Sequence, residues 1–190
     1  MRYILASASE RREELLRRLG ISFEILVSHF DEDLIPFEGD VRKYVETLAF
    51  QKANSIRTSF TKDAVIIGSD TVVYAKGTIL GKPTSYEDAF SMMSLLAGNH
   101  HEVYSGVALI LPGEEGVTQF SVCTSVYFSA MTHEEIHSYL KKNEWQDKAG
   151  AYGIQGSASL FIEGIQGDYY NVMGLPIQAL YTELKNLQML

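Results

Sequence analysis

HEVYSGVALILPGEEGVTQFSVCTSVYFSA, His101–Ala130, decides the fold class. His101–Leu111 and Val117–Ala130 alternate apolar and polar residues with the two-residue period of strands, and Pro112–Gly116 supplies turn residues between them. The segment therefore reads as a long antiparallel hairpin. Strands and helices alternate on its N-terminal side, so the hairpin interrupts what would otherwise be a doubly wound chain. The expected class is mixed α/β, a sheet flanked by helices.

Working outward toward the N-terminus, Tyr3–Ala6 reads as a strand, Ser7–Ser9 as a polar turn, and the following residues as a helix through about Leu19 that Gly20 ends. Ser7 and Glu10 have capping-box spacing, and Ser9 is the alternative cap. Either choice puts Arg11 and Arg12 in the first turn. That end of a helix disfavours cations, and a bound phosphate would reverse the sign by accepting from backbone N–H groups and guanidinium donors. The competing account is a pair of solvated surface arginines.

Ile21–Val27 reads as a second strand, Asp31–Asp33 as an acidic turn, and Asp40 as the cap of a helix running from Val41 to near Ser59. Its apolar stripe holds Val41, Tyr44, Val45, Leu48, Ala49, Ala53 and Ile56. Lys52 falls on that inward side, where an ammonium needs a partner or a route to solvent. Ala64–Ile67 is an apolar strand ending in Gly68-Ser69-Asp70-Thr71, with Val72–Tyr74 extended beyond it. Asp70 at the mouth of a buried strand suits metal binding or water activation; a plain turn aspartate is the rival. Ala75-Lys76-Gly77 turns the chain into Thr78–Leu80, and the loop Gly81-Lys82-Pro83 is expected to aim Lys82 at the same mouth.

On the C-terminal side, Ser85 with Asp88 and Thr132 with Glu135 repeat the capping-box spacing before two helices, the first carrying core methionines Met92 and Met93. DKAGAYGIQGSASLFIEGIQGDYYNVMGLP, Asp147–Pro176, holds six glycines with scattered polar residues, a composition suited to shaping backbone around a ligand. Leu160–Ile162 reads as a strand within it, and Pro176 begins a final helix with Ile177, Leu180, Leu184 and Leu187.

The chain has 190 residues and a formal net charge of −8. That balance argues against a nucleic-acid polymer as partner, which needs a positive footprint, but leaves room for small phosphorylated ligands held by local cations. Cys123 is the single cysteine, which excludes an intrachain disulfide framework. No apolar run approaches membrane-spanning length, and the expectation is a reduced, soluble, cytoplasmic protein without a membrane partner. Its oligomeric state is left open, a homodimer being compatible.

His133-Glu134-Glu135-Ile136-His137 satisfies HExxH, so a zinc hydrolase is a rival enzyme reading. Against it, His133 sits at the start of the helix, Glu135 has a capping explanation, and no third ligand is recognisable downstream. GxxxxGK[ST], GxGxxG and GxSxG are all missing. The positive pattern is a collection: Arg11, Arg12, Lys52 and Lys82 can neutralise a polyphosphate, while Glu32 and Asp70 offer oxygen ligands to a hard divalent cation. A polyphosphate ester is the natural substrate class.

LASASERREELL, GSDTVV, GKP, YSGV, DKAGAYGIQG and GDYYNVMGLP resemble, in order, motifs of the Maf family of nucleotide pyrophosphatases, across almost the whole chain. DKAGAYGIQG is similar to the branch acting on dTTP and UTP. The resemblance implies one elongated α/β domain over residues 1–190, with a cleft between two lobes. It also implies a divalent metal (Mg, Mn or Co) and hydrolysis of a nucleoside triphosphate to monophosphate and pyrophosphate. It makes Asp70, Lys82, Lys52 and Arg12 catalytic, and Glu32 and Asp70 metal ligands. Ser7, Arg11, Arg12, Lys52, Lys82 and Gln155 become substrate-binding residues. The family's effect on division septum formation keeps a nucleotide-responsive interaction protein as the non-enzymatic alternative. One departure is Glu10, where the family commonly has proline before its two arginines; the extra carboxylate is expected to weaken phosphate affinity.

Overall fold

The computed structural model describes residues 1–58, 61–113 and 116–190. Its strands are β1 (Arg2–Leu5), β2 (Phe23–Ile25), β3 (Ala64–Ala75), β4 (Thr78–Leu80), β5 (His100–Ile110), β6 (Val117–Phe128) and β7 (Ile162–Gln166). Among the described residues they form a seven-stranded sheet in the order β2-β1-β3-β5-β6-β7, with β4 paired to β3. β1 runs parallel to both β2 and β3, whereas β3 with β4 and β6 with β7 are antiparallel. The sheet is mixed because β3, after a parallel start, doubles back through Lys76 (φ 48°) and Gly77 (φ 84°) into β4, the paired positive φ values that a tight hairpin turn requires. The Leu111 N–H donates to the Gly116 carbonyl at 3.0 Å between β5 and β6; part of the expected Pro112–Gly116 turn lies outside the described residues.

The helices are α1 (Glu10–Arg17), α2 (Val41–Ser55), α3 (Tyr86–Leu96), α4 (His133–Leu140), α5 (Tyr169–Met173) and α6 (Ile177–Asn186). Ser9, not Ser7, caps α1 by accepting from the Arg12 N–H, and Asp40 and Ser85 cap α2 and α3. Thr132 and Glu135 form a reciprocal capping box on α4. α2 stops at Ser55, short of the expected end near Ser59, which lies outside the described residues; the Ile56 carbonyl is taken by the Thr61 hydroxyl at 3.1 Å. Residues Ser157–Phe161 are a 3₁₀ turn instead of the start of a strand, because Glu144 binds the Ser157 N–H and hydroxyl, both at 2.7 Å, and fixes that turn.

The chain divides into two compact units. The first is Met1–Thr71, Ser105–Val122 and Gly174–Leu190; the second is Val72–Tyr104 and Cys123–Met173. In the first, Ala6, Ala53, Ile66 and Ile110 form a buried cluster flanked by Phe50 and Ile56. α2 lies close against two strand glycines there: a Cβ on Gly68 would fall 2.1 Å from the Ala49 carbonyl oxygen, and one on Gly106 2.2 Å from that of Val45. In the second, α3 and α4 cover a larger core that includes Val73, Met93, Leu96, Val126, Ile136 and Leu140, where each fully buried large aliphatic contributes roughly 1.5–3 kcal/mol.

Candidate active site

β3 is one unbroken strand through Gly68-Ser69-Asp70-Thr71, which corrects the expectation that the strand ends before Asp70. The glycine and small polar residues there are not turn-formers. Gly68 lacks a side chain because α2 occupies that space, and Asp70 then projects from the middle of a rigid element. Three residues beyond Ala49 on α2, Lys52 reaches it. The Lys52 ammonium donates to Asp70 Oδ1 at 2.5 Å and pairs with Glu32 Oε1 at 2.7 Å. Glu32 comes from a 3₁₀ turn, Glu32–Leu34, whose cap Asp31 accepts from the Asp33 N–H. The side chains of Asp70 and Lys52 are 7% and 13% exposed, against 45% for Glu32, so the cluster is open on its Glu32 side.

Thr71, next along β3, begins a second cluster. Arg12 donates from Nε to the Gly174 carbonyl (2.8 Å), from Nη1 to Ser7 Oγ (3.4 Å) and from Nη2 to Thr71 Oγ1 (3.2 Å). The Gly174 oxygen also accepts from the Ser69 and Thr71 hydroxyls, and Thr71 Oγ1 lies 2.7 Å from Ser105 Oγ. Burial pushes the Arg12 pKa down, the Asp70 carboxylate opposes that, Arg11 adds to it and Glu32 opposes it. A guanidinium stays charged throughout, so a cation with fixed orientation stands in the field of two carboxylates. Among the described residues, its hydrogen bonds go to neutral acceptors, the Gly174 carbonyl and the Ser7 and Thr71 hydroxyls.

Of the residues expected from sequence, the first unit brings together Ser7, Arg12, Glu32, Lys52 and Asp70. Arg11 sits half-buried in the first turn of α1 beside Arg12. Lys82 and Gln155 belong to the second unit and are exposed. Their two loops are tied by the Gly150 N–H donating to the Gly81 carbonyl at 3.0 Å. Sequence reasoning did not single out Thr71, Ser105, the Gly174 carbonyl or Tyr44. The first three lie inside quoted motifs, so their signal was present without a role attached. Tyr44, eight residues before Lys52, was assigned to the apolar stripe of α2, yet its phenol pKa is raised by burial and then by Asp70, Glu32 and Asp33.

The HExxH run has a packing explanation in the second unit. His137 Nδ1 lies 2.7 Å from the Tyr86 hydroxyl and its ring stacks on Phe90, which His133 meets edge-on. Among the described residues no three His, Cys, Asp or Glu side chains gather in a metal-binding group.

Residues 2–187 match the family described as Maf-like protein. The chain belongs to the Maf family. Two relatives named dTTP/UTP pyrophosphatase agree with that membership along nearly their full length. The one from Clostridium novyi (strain NT) is 51% identical over 181 residues, covering 95% of each chain. The one from Clostridium botulinum (strain Eklund 17B / Type B) is 50% identical over 185 residues, covering 97% of this chain and 98% of the relative. Among solved structures, the Staphylococcus aureus Ham1 protein superposes with a TM-score of 0.56 at 10% identity, covering 98% of the Maf chain and 100% of its own. A HAM1 protein from Coxiella burnetii gives 0.52 at 13% identity, covering 98% and 99%. These likenesses concern the fold alone. Among the described residues no helix of the Maf chain is long and apolar enough to cross a membrane.

Proposed function

We propose that this chain hydrolyses dTTP and UTP to the nucleoside monophosphate and pyrophosphate with the help of a divalent cation such as Mg, Mn or Co. The observation that carries the reading is the Glu32, Lys52 and Asp70 cluster, adjoined along β3 by the oriented Arg12, in a chain about half identical to relatives bearing that name. The two carboxylates fit a hard cation. They are oxygen donors already converged on one positive centre, and two protein carboxylates plus substrate phosphates is a common ligand set for Mg²⁺. When bound at Glu32 and Asp70, the cation supplies charge neutralisation on the phosphate oxygens.

The chain's own residues do the rest. Asp70, fixed mid-strand, orients the attacking water and accepts its proton at a carboxylate oxygen. The water oxygen bonds to the α-phosphorus as the bond from that phosphorus to the α,β-bridging oxygen breaks, and pyrophosphate leaves with the electron pair. Arg12, Lys52 and Lys82 hold the phosphoryl charge. The Gln155 amide, which both donates and accepts, suits a pyrimidine edge. Pyrophosphate release measured with the common nucleoside triphosphates and with Mg²⁺, Mn²⁺ or Co²⁺ tests the reading. Release from UTP and dTTP that stops in excess chelator is expected; no release from either with any of the three cations would sink it and leave a nucleotide-binding protein.

A further inference from the structure

Lys52 does not point at an empty position where phosphate would lie. Its ammonium is already shared between Asp70 Oδ1 at 2.5 Å and Glu32 Oε1 at 2.7 Å. We infer that Lys52 is a placeholder cation: it occupies the acidic pair in the free protein, a divalent metal must displace it, and the triphosphate assists by giving the ammonium another anionic partner. This rests on the proposed metal site at Glu32 and Asp70.

Displacement follows from distance and charge. A dication bound to these carboxylates would sit about 2.0–2.6 Å from their oxygens, in the space next to an ammonium that already touches both residues, and two positive centres so close repel strongly where solvent is scarce. The side chains of Asp70 and Lys52, 7% and 13% exposed, are shielded enough for that repulsion to count. Counting formal charges, Glu32 and Asp70 with Lys52 sum to −1, and without it to −2, so removing the ammonium both vacates the position and strengthens its field. The lysine stem is long and flexible, and the site is open at Glu32, so the ammonium can swing without moving α2. Loading is thereby coupled: metal is held weakly until a phosphate chain draws Lys52 off.

The test is direct binding of Mn²⁺ alone, by calorimetry or by the loss of the free-ion electron paramagnetic resonance signal. It compares the wild type, Lys52→Met and Lys52→Gln, each checked by circular dichroism. Without nucleotide, both variants should bind Mn²⁺ at least about tenfold more tightly than the wild type, the size of effect expected when one adjacent charge is removed from a partly buried site. Adding Glu32→Gln to Lys52→Met should abolish most of that gain. Wild type and both folded variants binding Mn²⁺ with equal affinity would overturn the placeholder role while leaving the metal site standing. No binding by any of the three, with or without a non-hydrolysable UTP analogue, would overturn the metal site and the placeholder role together.

Discussion

Two polar clusters in this protein are built on opposite principles. In the first unit, Lys52, Glu32 and Asp70 are all ionisable and oppositely charged, and the cluster is 45% exposed at Glu32. In the second, His101 and Tyr152 are 2% and 5% exposed, and His101 Nε2 lies 2.7 Å from the Tyr152 hydroxyl between packed aromatic rings. Burial holds His101 neutral, with its pKa pushed down to about 4, the neighbouring His100 adding to the shift. A charged cluster left partly open can exchange partners. A neutral pair sealed in a core can only hold it together. The comparison separates titratable groups left open to a ligand from titratable groups sealed into the fold.

The largest expected effect falls on the open cluster. Asp70→Asn keeps the side-chain volume and an acceptor for Lys52 but removes a carboxylate and a proton acceptor. Its kcat for UTP should fall by at least about 10³, roughly 4 kcal/mol of barrier, with little change in Tm. Retention of near-normal turnover by a folded Asp70→Asn protein would erase the distinction between the clusters.

The sealed cluster should answer to pH. The unfolded chain takes up a proton on His101 near its ordinary pKa of 6.5, and the folded protein only near 4. The contribution of neutral His101 is therefore complete above about pH 6.5 and lost as pH falls toward 4, about 1.4 kcal/mol per pH unit and roughly 3 kcal/mol in all. His101→Phe should flatten that part of the pH–stability curve, at a cost of about 1–3 kcal/mol at pH 7 from the unpartnered Tyr152 hydroxyl. Denaturant unfolding at pH 7 and pH 4.5 measures both, and an equally steep curve in the variant would assign the acid sensitivity elsewhere. The smallest effect belongs to Thr132→Ala, which removes the α4 cap for about 1 kcal/mol and should leave pyrophosphate release unaltered.

Much of the fold was legible because its signals are local. The caps at Asp40, Ser85 and Thr132 satisfy the first N–H groups of α2, α3 and α4 within three residues of chain. One buried face accounts for the alternation in the first half of β5 and the last part of β6, whereas residues 105–110 are buried on both faces. The rest depends on partners distant in sequence. Gly68-Ser69-Asp70 looks like a turn until α2 is placed over Gly68, and only then does an uninterrupted β3 account for the glycine. The candidate site divides in the same way. Its ionisable members are conspicuous by type, whereas the Gly174 carbonyl that orients Arg12 is backbone, with φ +119°, and no side-chain pattern announces it. The composition of the glycine-rich segment suits backbone shaped around a ligand, and at Gly174 that backbone orients the Arg12 guanidinium.

The two glycines under α2 carry a practical consequence for anyone redesigning this enzyme. Because the helix backbone lies directly on β3 and β5 at Gly68 and Gly106, the reach from Lys52 to Asp70 is set by two missing methyl groups. One added carbon at either glycine would meet a helix carbonyl oxygen at 2.1 or 2.2 Å and force α2 off the strands, breaking the acid–ammonium contact while leaving every charge in the site untouched. By the same logic, a mutational scan would rank these chemically inert positions beside the acids themselves, and intolerance to substitution would mark spacing as readily as catalysis.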